Sequence, residues 1–238
     1  MDTDQRIAKA TQPYLFRNNF VLTNLPPADV KKLEDHTLLE NGKRGKMLFR
    51  QNGFSNGVFW LTSGMVKIYQ ETKTGQRQTV YIYASGDLLG HRQFISEEPH
   101  PVTAVLLEDS TYRFIPGDIF RELLASSSFF TRNMLTALAR EFSVWSNRMT
   151  SFSHFPVRHR LALALLILHE QYRLSGLPKG VITITRTELA EYVGATLETV
   201  VRMLNNLKAD HVVSILGRRM VIKDTDALVD IIESGTKK

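Results

Sequence analysis

The stretch Thr185-Arg-Thr-Glu-Leu-Ala-Glu-Tyr-Val-Gly-Ala-Thr-Leu-Glu-Thr-Val-Val-Arg202 decides how the chain is read. Thr185 stands three residues before Glu188, the spacing of a capping box, which satisfies two orphan backbone N–H groups at a helix start. A helix over 186–193 follows, and Gly194 ends it. Thr196, with Thr199 three residues on, is a second capping candidate and opens a helix over 197–208. Val200, Met203, Leu204 and Leu207 form the inner face of this second helix. Two short helices joined by a glycine turn match a helix-turn-helix.

On the outer face, Glu198 and Arg202 lie four apart and therefore side by side. Arginine grips guanine O6 and N7 with two hydrogen bonds, and glutamate accepts from cytosine N4. The alternative is a solvated ion pair worth about 0.3–0.5 kcal/mol. Within a helix-turn-helix the base-reading role is the expectation. Beyond it, Val212–Leu216, Gly217-Arg218-Arg219 and Met220–Lys223 read as a hairpin with a basic tip, a wing. Arg218 and Arg219 are candidates for phosphate contact, which positions a protein without reading sequence; the alternative is ordinary solvated turn charge.

Upstream, Val181–Thr185 reads as a short strand, Ser175–Gly180 as a loop and 157–173 as an apolar helix. Phe155–Pro156 breaks the chain before it, because a residue preceding proline is pushed out of the α region. A domain boundary is placed near 155, giving units 1–155 and 156–238. The helix before the break, about 127–153, carries Leu135, Leu138, Phe142, Trp145, Met149 and Phe152 at steps of 3, 4, 3, 4, 3. Thr136, Arg140, Glu141, Ser143, Ser146, Asn147 and Arg148 lie between them. So narrow a seam points to a partner helix. An amphipathic helix packed on its own domain would usually carry a wider stripe.

Further upstream, 42–116 alternates β-rich runs with glycine turns: Val58–Leu61, Met65–Tyr69, Thr79–Tyr83, Val102–Leu107 and Tyr112–Ile115. Such spacing suggests a β-sandwich or barrel. Lys73–Gln76 is read as a hairpin tip, with Gly75 free to take positive φ. Pro116 closes the β region. Residues 1–40 read as two helical pieces broken at Pro26–Pro27, the second anchored by Val30 and Leu33.

The 238 residues include no cysteine, which removes disulfides, cysteine-ligated zinc, iron–sulfur clusters and thiol catalysis. The longest apolar run, Leu161–Leu168, is far short of the ~20 residues of a spanning helix. The opening residues show no signal peptide, so a soluble, cytoplasmic protein with no membrane partner is expected. A formal charge of +6 permits a polyanionic partner, but Lys and Arg exceed Asp and Glu equally before and after residue 156.

Taken together, these residues resemble the CRP/FNR family of bacterial transcription regulators over nearly the whole chain. The helix-turn-helix carries the resemblance most specifically. Gly57–Tyr69 and Gly86-Asp-Leu-Leu-Gly90 resemble the family's cyclic-nucleotide-type β-roll, and Arg160-Leu-Ala the start of its DNA-binding domain. The resemblance implies an α+β fold: an N-terminal β-roll or jelly-roll sensor, a long dimerisation helix and a C-terminal winged helix-turn-helix. It implies a non-enzymatic homodimer that binds palindromic double-stranded DNA and meets RNA polymerase. Glu198 and Arg202 would contact bases, and Arg186, Thr196, Thr199 and Arg218 phosphates. Val201 would meet a thymine methyl or simply space the helix. Leu197 departs from the cyclic-AMP receptor, whose arginine there reads a further guanine, and is closer to the oxygen-sensing branch.

The pocket departs further. His91 follows Gly90 where cyclic-AMP binders have a ribose-binding glutamate, and Pro101–Val102 replace their Arg-Ser. A cyclic phosphate needs a cation or converging donors in a buried pocket. Trp145–Ser146 replace the adenine-contacting Thr-Ser, with Trp145 bulky enough to fill the cavity. These changes argue against cyclic AMP bound in the usual mode and leave the effector unnamed. His91 is open to a haem-ligand or pH-sensing role, or to one ordinary hydrogen bond. Arg92 is open to an anionic ligand or to a solvated charge. Two other readings are carried: the same DNA-binding dimer without a small-molecule effector, and a jelly-roll metalloenzyme. The second needs clustered ligands, and His36, His91, His100, His154, His159, His169 and His211 show no such spacing.

Overall fold

The β-rich middle of the chain folds as its glycine punctuation requires. The structure, a computed structural model, describes residues 2–175 and 181–235. The loop expected at 175–180 lies, from Gly176 onward, outside the described residues. Among those described, β1 (Leu38–Gly42), β8 (Ser110–Pro116), β3 (Gly57–Ser63) and β6 (Leu88–Leu89) form one antiparallel sheet in that order. A second has the order β2 (Met47–Phe49), β7 (Thr103–Leu106), β4 (Met65–Glu71), β5 (Arg77–Ala84).

Gly64 turns β3 into β4 with φ +89°, and a Cβ there would lie 2.2 Å from Ser110 Oγ, so only glycine fits. Gly75, φ +80°, closes the β4–β5 hairpin at the expected tip. The rings of Phe49 and Phe59, one from each sheet, meet at 6.1 Å. Asp87, wholly buried before β6, accepts from Arg17 Nε at 2.9 Å and from the Ala84 and Asn18 backbone N–H groups.

The roll is closed by α2 (Pro27–His36), α4 (Gly117–Ser126) and the start of α5 (Ser128–His154), whose Leu33, Phe120, Leu123, Phe130 and Met134 bury against Val58, Leu88 and Ile115. Val30, expected as an anchor, is instead exposed; Leu33 alone of the two turns inward. The helical stretch after Pro116 is two helices. Ser127, extended at ψ 100°, ends α4, and its Oγ accepts from Phe130 N at 3.2 Å to start α5.

The remaining elements pack around α6 (Val157–Leu174), whose Leu161–Leu168 run is buried throughout. They are α1 (Thr3–Thr11), β9 (Val181–Ile182), α7 (Arg186–Val193), α8 (Leu197–Ala209), β10 (Val213–Leu216), β11 (Arg219–Ile222) and α9 (Thr225–Gly235). Strand β9 stops earlier than expected because Thr185, at φ −73° and ψ 160°, is committed as the α7 cap. Arg6 of α1 is held by three carboxylates of α9: Asp226 at 2.9 Å, Asp230 at 2.6 Å and Glu233 at 3.2 Å.

Two compact units result: Arg17–Glu141, and Met1–Phe16 with Phe142–Lys238. The helix break at Phe155–Pro156 is present, but compactness divides the chain inside α5. The reason is polar as well as apolar. Asn147 donates to Pro13 O at 2.8 Å, and Arg148 donates to Tyr192 Oη at 2.8 Å, so the end of α5 belongs to the later unit.

Candidate nucleic-acid interface

Thr185 Oγ1 accepts from Glu188 N at 3.1 Å, and Glu188 Oε2 accepts from Thr185 N at 2.9 Å. The capping box therefore starts α7 where the spacing placed it. Gly194 ends the helix at φ +67°. Arg160 Nη1 donates to Val193 O and Gly194 O, both at 2.9 Å, and so supplies a cation to the last carbonyls of α7. Thr196 Oγ1 accepts from Thr199 N at 3.3 Å and donates to Thr199 Oγ1 at 2.8 Å.

Helix α8 buries Val200, Leu204 and Leu207, with Met203 half-buried. This leaves Thr196, Leu197, Glu198 and Arg202 exposed at its N-terminal half, and Val201 and Thr199 half-buried. Glu198 and Arg202 form no ion pair, with each other or with another group, among the described residues.

The wing is a hairpin of β10 and β11, with Leu216 opposite Arg219 and Gly217 at φ +58°. Arg218 is exposed in the turn and Arg219 at the head of β11. Arg186 Nη2 donates to Gly217 O at 3.1 Å, tying the start of α7 to the wing tip. Its Nη1 is buried without a partner, and burial lowers the guanidinium pKa. Leu216 was not singled out by the sequence reading, yet it is 79% exposed at the wing tip. A period-2 alternation through Val213, Ser214, Ile215 and Leu216 would have placed it outward. Arg160 belongs to the Arg160-Leu-Ala motif already noted, but its bonds to carbonyls 33 and 34 residues away have no local signal in the sequence.

In the roll, Gly90 takes φ +86° and His91 is buried just before α3 (Arg92–Ser96). His91 Nε2 stands 3.6 Å from Glu141 Oε2, and its Nδ1 has no partner. Glu141 accepts from Tyr83 Oη at 3.1 Å; burial first, and then this carboxylate, push the Tyr83 pKa well up. By sequence Glu141 reads only as a polar residue between seam positions. Arg92 is paired with Glu98 at 2.6 Å near the surface. Pro101 is half-buried and Val102 buried. Beside them the His100 ring stacks on Phe49, centroids 3.9 Å apart. Burial, and then the positive charge of His91 and Arg92, hold the His100 pKa down to about 4. Trp145, half-buried, and Ser146, exposed, belong to the other compact unit.

On α5 the seam residues Leu135, Phe142 and Met149 are 61, 75 and 70% exposed, while Leu138, Trp145 and Phe152 are half-buried. Among the described residues no helix is long and apolar enough to cross a membrane, and no group of three or more His, Asp or Glu side chains is placed to hold a metal ion.

Comparison with known proteins agrees with this arrangement. Residues 39–127 match the cyclic nucleotide-binding domain family and residues 159–231 the Crp-like helix-turn-helix domain family. The chain is 26% identical over 198 residues to the anaerobic regulatory protein of Haemophilus influenzae, covering 82% of this chain and 76% of that protein. It is 25% identical over 191 residues to the fumarate and nitrate reduction regulatory protein of Escherichia coli, covering 79% and 76%. FixK2 from Bradyrhizobium japonicum shares the fold at a TM-score of 0.73 and 20% identity, over 82% of this chain and 96% of that one. The first two carry the names of regulatory proteins. With β-roll, long helix and winged helix-turn-helix in that order, the chain belongs to the CRP/FNR family of DNA-binding transcription regulators.

Proposed function

We propose that two copies of the chain pair through the Leu135–Phe152 seam of α5 and present two α8 helices to one palindromic site on double-stranded DNA. Residues 1–155 act as the sensing half, with about 127–153 as the dimer helix, and 156–238 as the DNA-binding half. Half-sites one helical turn apart, about 34 Å, suit two recognition helices related by a two-fold axis. The observation that carries this reading is the free, exposed pair Glu198 and Arg202 on the N-terminal half of α8. A guanidinium there reaches guanine, and a carboxylate there accepts from cytosine. Half-buried Val201 beside them meets a thymine methyl or simply spaces the helix. Arg186, Thr196, Thr199, Arg218 and Arg219 surround the pair with phosphate-binding groups. Such a complex works in the cytoplasm beside RNA polymerase.

Selection of bound sites from random duplexes tests the base-reading role. Arg202→Ala is expected to weaken specific binding by about 1–3 kcal/mol and to relax preference at one base pair. An unchanged preference would remove Arg202 from the reading.

A second reading, a regulator with no small-molecule effector, is favoured by aromatic and apolar packing in the roll. There Phe49 lies against both Phe59 and His100, and Val102 is buried where a phosphate ligand would be needed. A thermal-shift screen against nucleotides, haem and small acids separates the two. A ligand that raises melting temperature and DNA affinity together supports sensing.

A further inference from the structure

Arg148 is 6% exposed, yet its guanidinium makes one hydrogen bond, to Tyr192 Oη at 2.8 Å, and Nε has no partner. A guanidinium carries five N–H donors and stays charged under all ordinary conditions. Arg160, half-buried nearby on α6, spends Nη1 on the α7 carbonyls and likewise leaves a buried Nε unpartnered. Both cations stack on the same ring, Phe152, at 5.6 and 6.0 Å from its centroid, and Arg148 also lies 4.3 Å from the Tyr192 ring. The two arginines line one small cavity of about 20 Å³ together with Ser151, Phe152 and Tyr192. The rest of its lining is aliphatic, and no carboxylate faces it.

Charges withdrawn from water need an opposite charge or a full set of hydrogen bonds, and this pair has neither. Aromatic faces offset part of the cost. The space is enough for one particle of about water size, since a single water needs roughly 10–15 Å³ of such volume. We propose that this cavity, between the end of α5, the start of α6 and the end of α7, binds one small inorganic anion of the halide class. Nε–H groups of Arg148 and Arg160 donate to it. Polyatomic anions such as sulfate are too large for the space. By offsetting one of the two positive charges and accepting from both guanidinium groups, the anion fixes α5 to α7, the first helix of the helix-turn-helix. The site lies in the free protein, so it can be tested without DNA and without relying on the base-reading assignment.

The test is thermal melting of the full-length protein at fixed ionic strength, with sodium chloride exchanged for sodium gluconate. A half-saturation near 10 mM would make 200 mM chloride raise the melting temperature by roughly 3–7 °C. Arg148→Gln should abolish the chloride dependence. Should that variant not fold, bromide-soaked crystals of the unaltered protein decide. An anomalous peak within about 3.5 Å of both guanidinium groups, alongside the chloride-dependent melting, supports the site. Equal melting temperatures in the two salts overturn it. A bromide peak without the chloride effect is binding at crystal concentration only, and also overturns it.

Discussion

Phe142→Ala separates a dimer seam from a core position. The Phe142 side chain is three-quarters exposed in the single chain. A phenylalanine carries about 150–250 Å² of burial, so roughly 110–190 Å² is available for a partner to cover. At about 25 cal/mol per Å² that is about 3–5 kcal/mol for each copy. An isologous interface loses the residue twice, but association recovers only part of the area term. We therefore commit to about 3–5 kcal/mol in total, a 10²- to 10⁴-fold weaker dimer. Sedimentation equilibrium over a wide concentration range reads this directly. Val144→Ala is the contrast, two residues along the same helix but buried within its own unit. It should cost about 1.5–3 kcal/mol of chain stability, with a smaller effect on association. If Phe142→Ala dimerises as tightly as the unaltered chain, or if Phe142→Ala unfolds it and Val144→Ala does not, the assignment of the two faces of α5 is wrong.

Arg218→Ala should weaken specific and random duplexes alike and reduce the slope of log affinity against log salt by about one, measured by fluorescence anisotropy across a salt series. His100 gives the stability of the roll a pH window. Its folded pKa, about 4, lies below the ordinary 6.5, so between those values the unfolded chain takes up a proton that the folded chain refuses. Stability should then fall by up to about 3 kcal/mol as pH drops from 6.5 to 4, and His100→Gln should flatten that part of a urea-denaturation series. Arg17→Met leaves the wholly buried Asp87 without its cation and should cost about 3–5 kcal/mol by the same assay, whereas a loss under 1 kcal/mol would show that the backbone donors suffice.

The winged unit was nearly fully legible because its signals are local. Thr185 and Glu188, Thr196 and Thr199, and Gly194 act within one turn of the residues they organise, so the α7 bounds fall where the spacing put them. Strands β3, β4, β5, β7 and β8 were legible from β-rich composition and glycine turns. β1, β2 and β6 were not. They hold five, three and two residues, and β1 turns Leu38 and Leu39 to solvent on a sheet edge, which inverts the usual signal. Long-range pairs were invisible for a different reason. Nothing near Arg17 announces Asp87, seventy residues away, and nothing near Arg6 announces the carboxylates of α9. The division into compact units inside α5 was not legible on the same ground, since it depends on contacts by Asn147 and Arg148 rather than on the conspicuous proline.

Helix α5 shows how two jobs share one heptad. Leu135, Phe142 and Met149 recur every seven residues and stay exposed; Phe130, Met134, Ala137, Val144, Arg148 and Ser151 recur at steps of four, three, seven, four and three, and are buried. The inner face of α5 also carries polar groups, and two of them are tied by side-chain bonds: half-buried Glu141 accepts from Tyr83 Oη and buried Arg148 donates to Tyr192 Oη. Apolar burial is non-directional and tolerates a helix that slides or turns. A buried polar pair does not, because a one-residue slip rotates the helix by about 100° and strands each group in a low-dielectric interior. Each bond therefore sets the rotation of its own part of α5 about the helix axis. That rotation in turn decides which residues form the outer stripe, so the seam proposed above is specified from the inside of each chain.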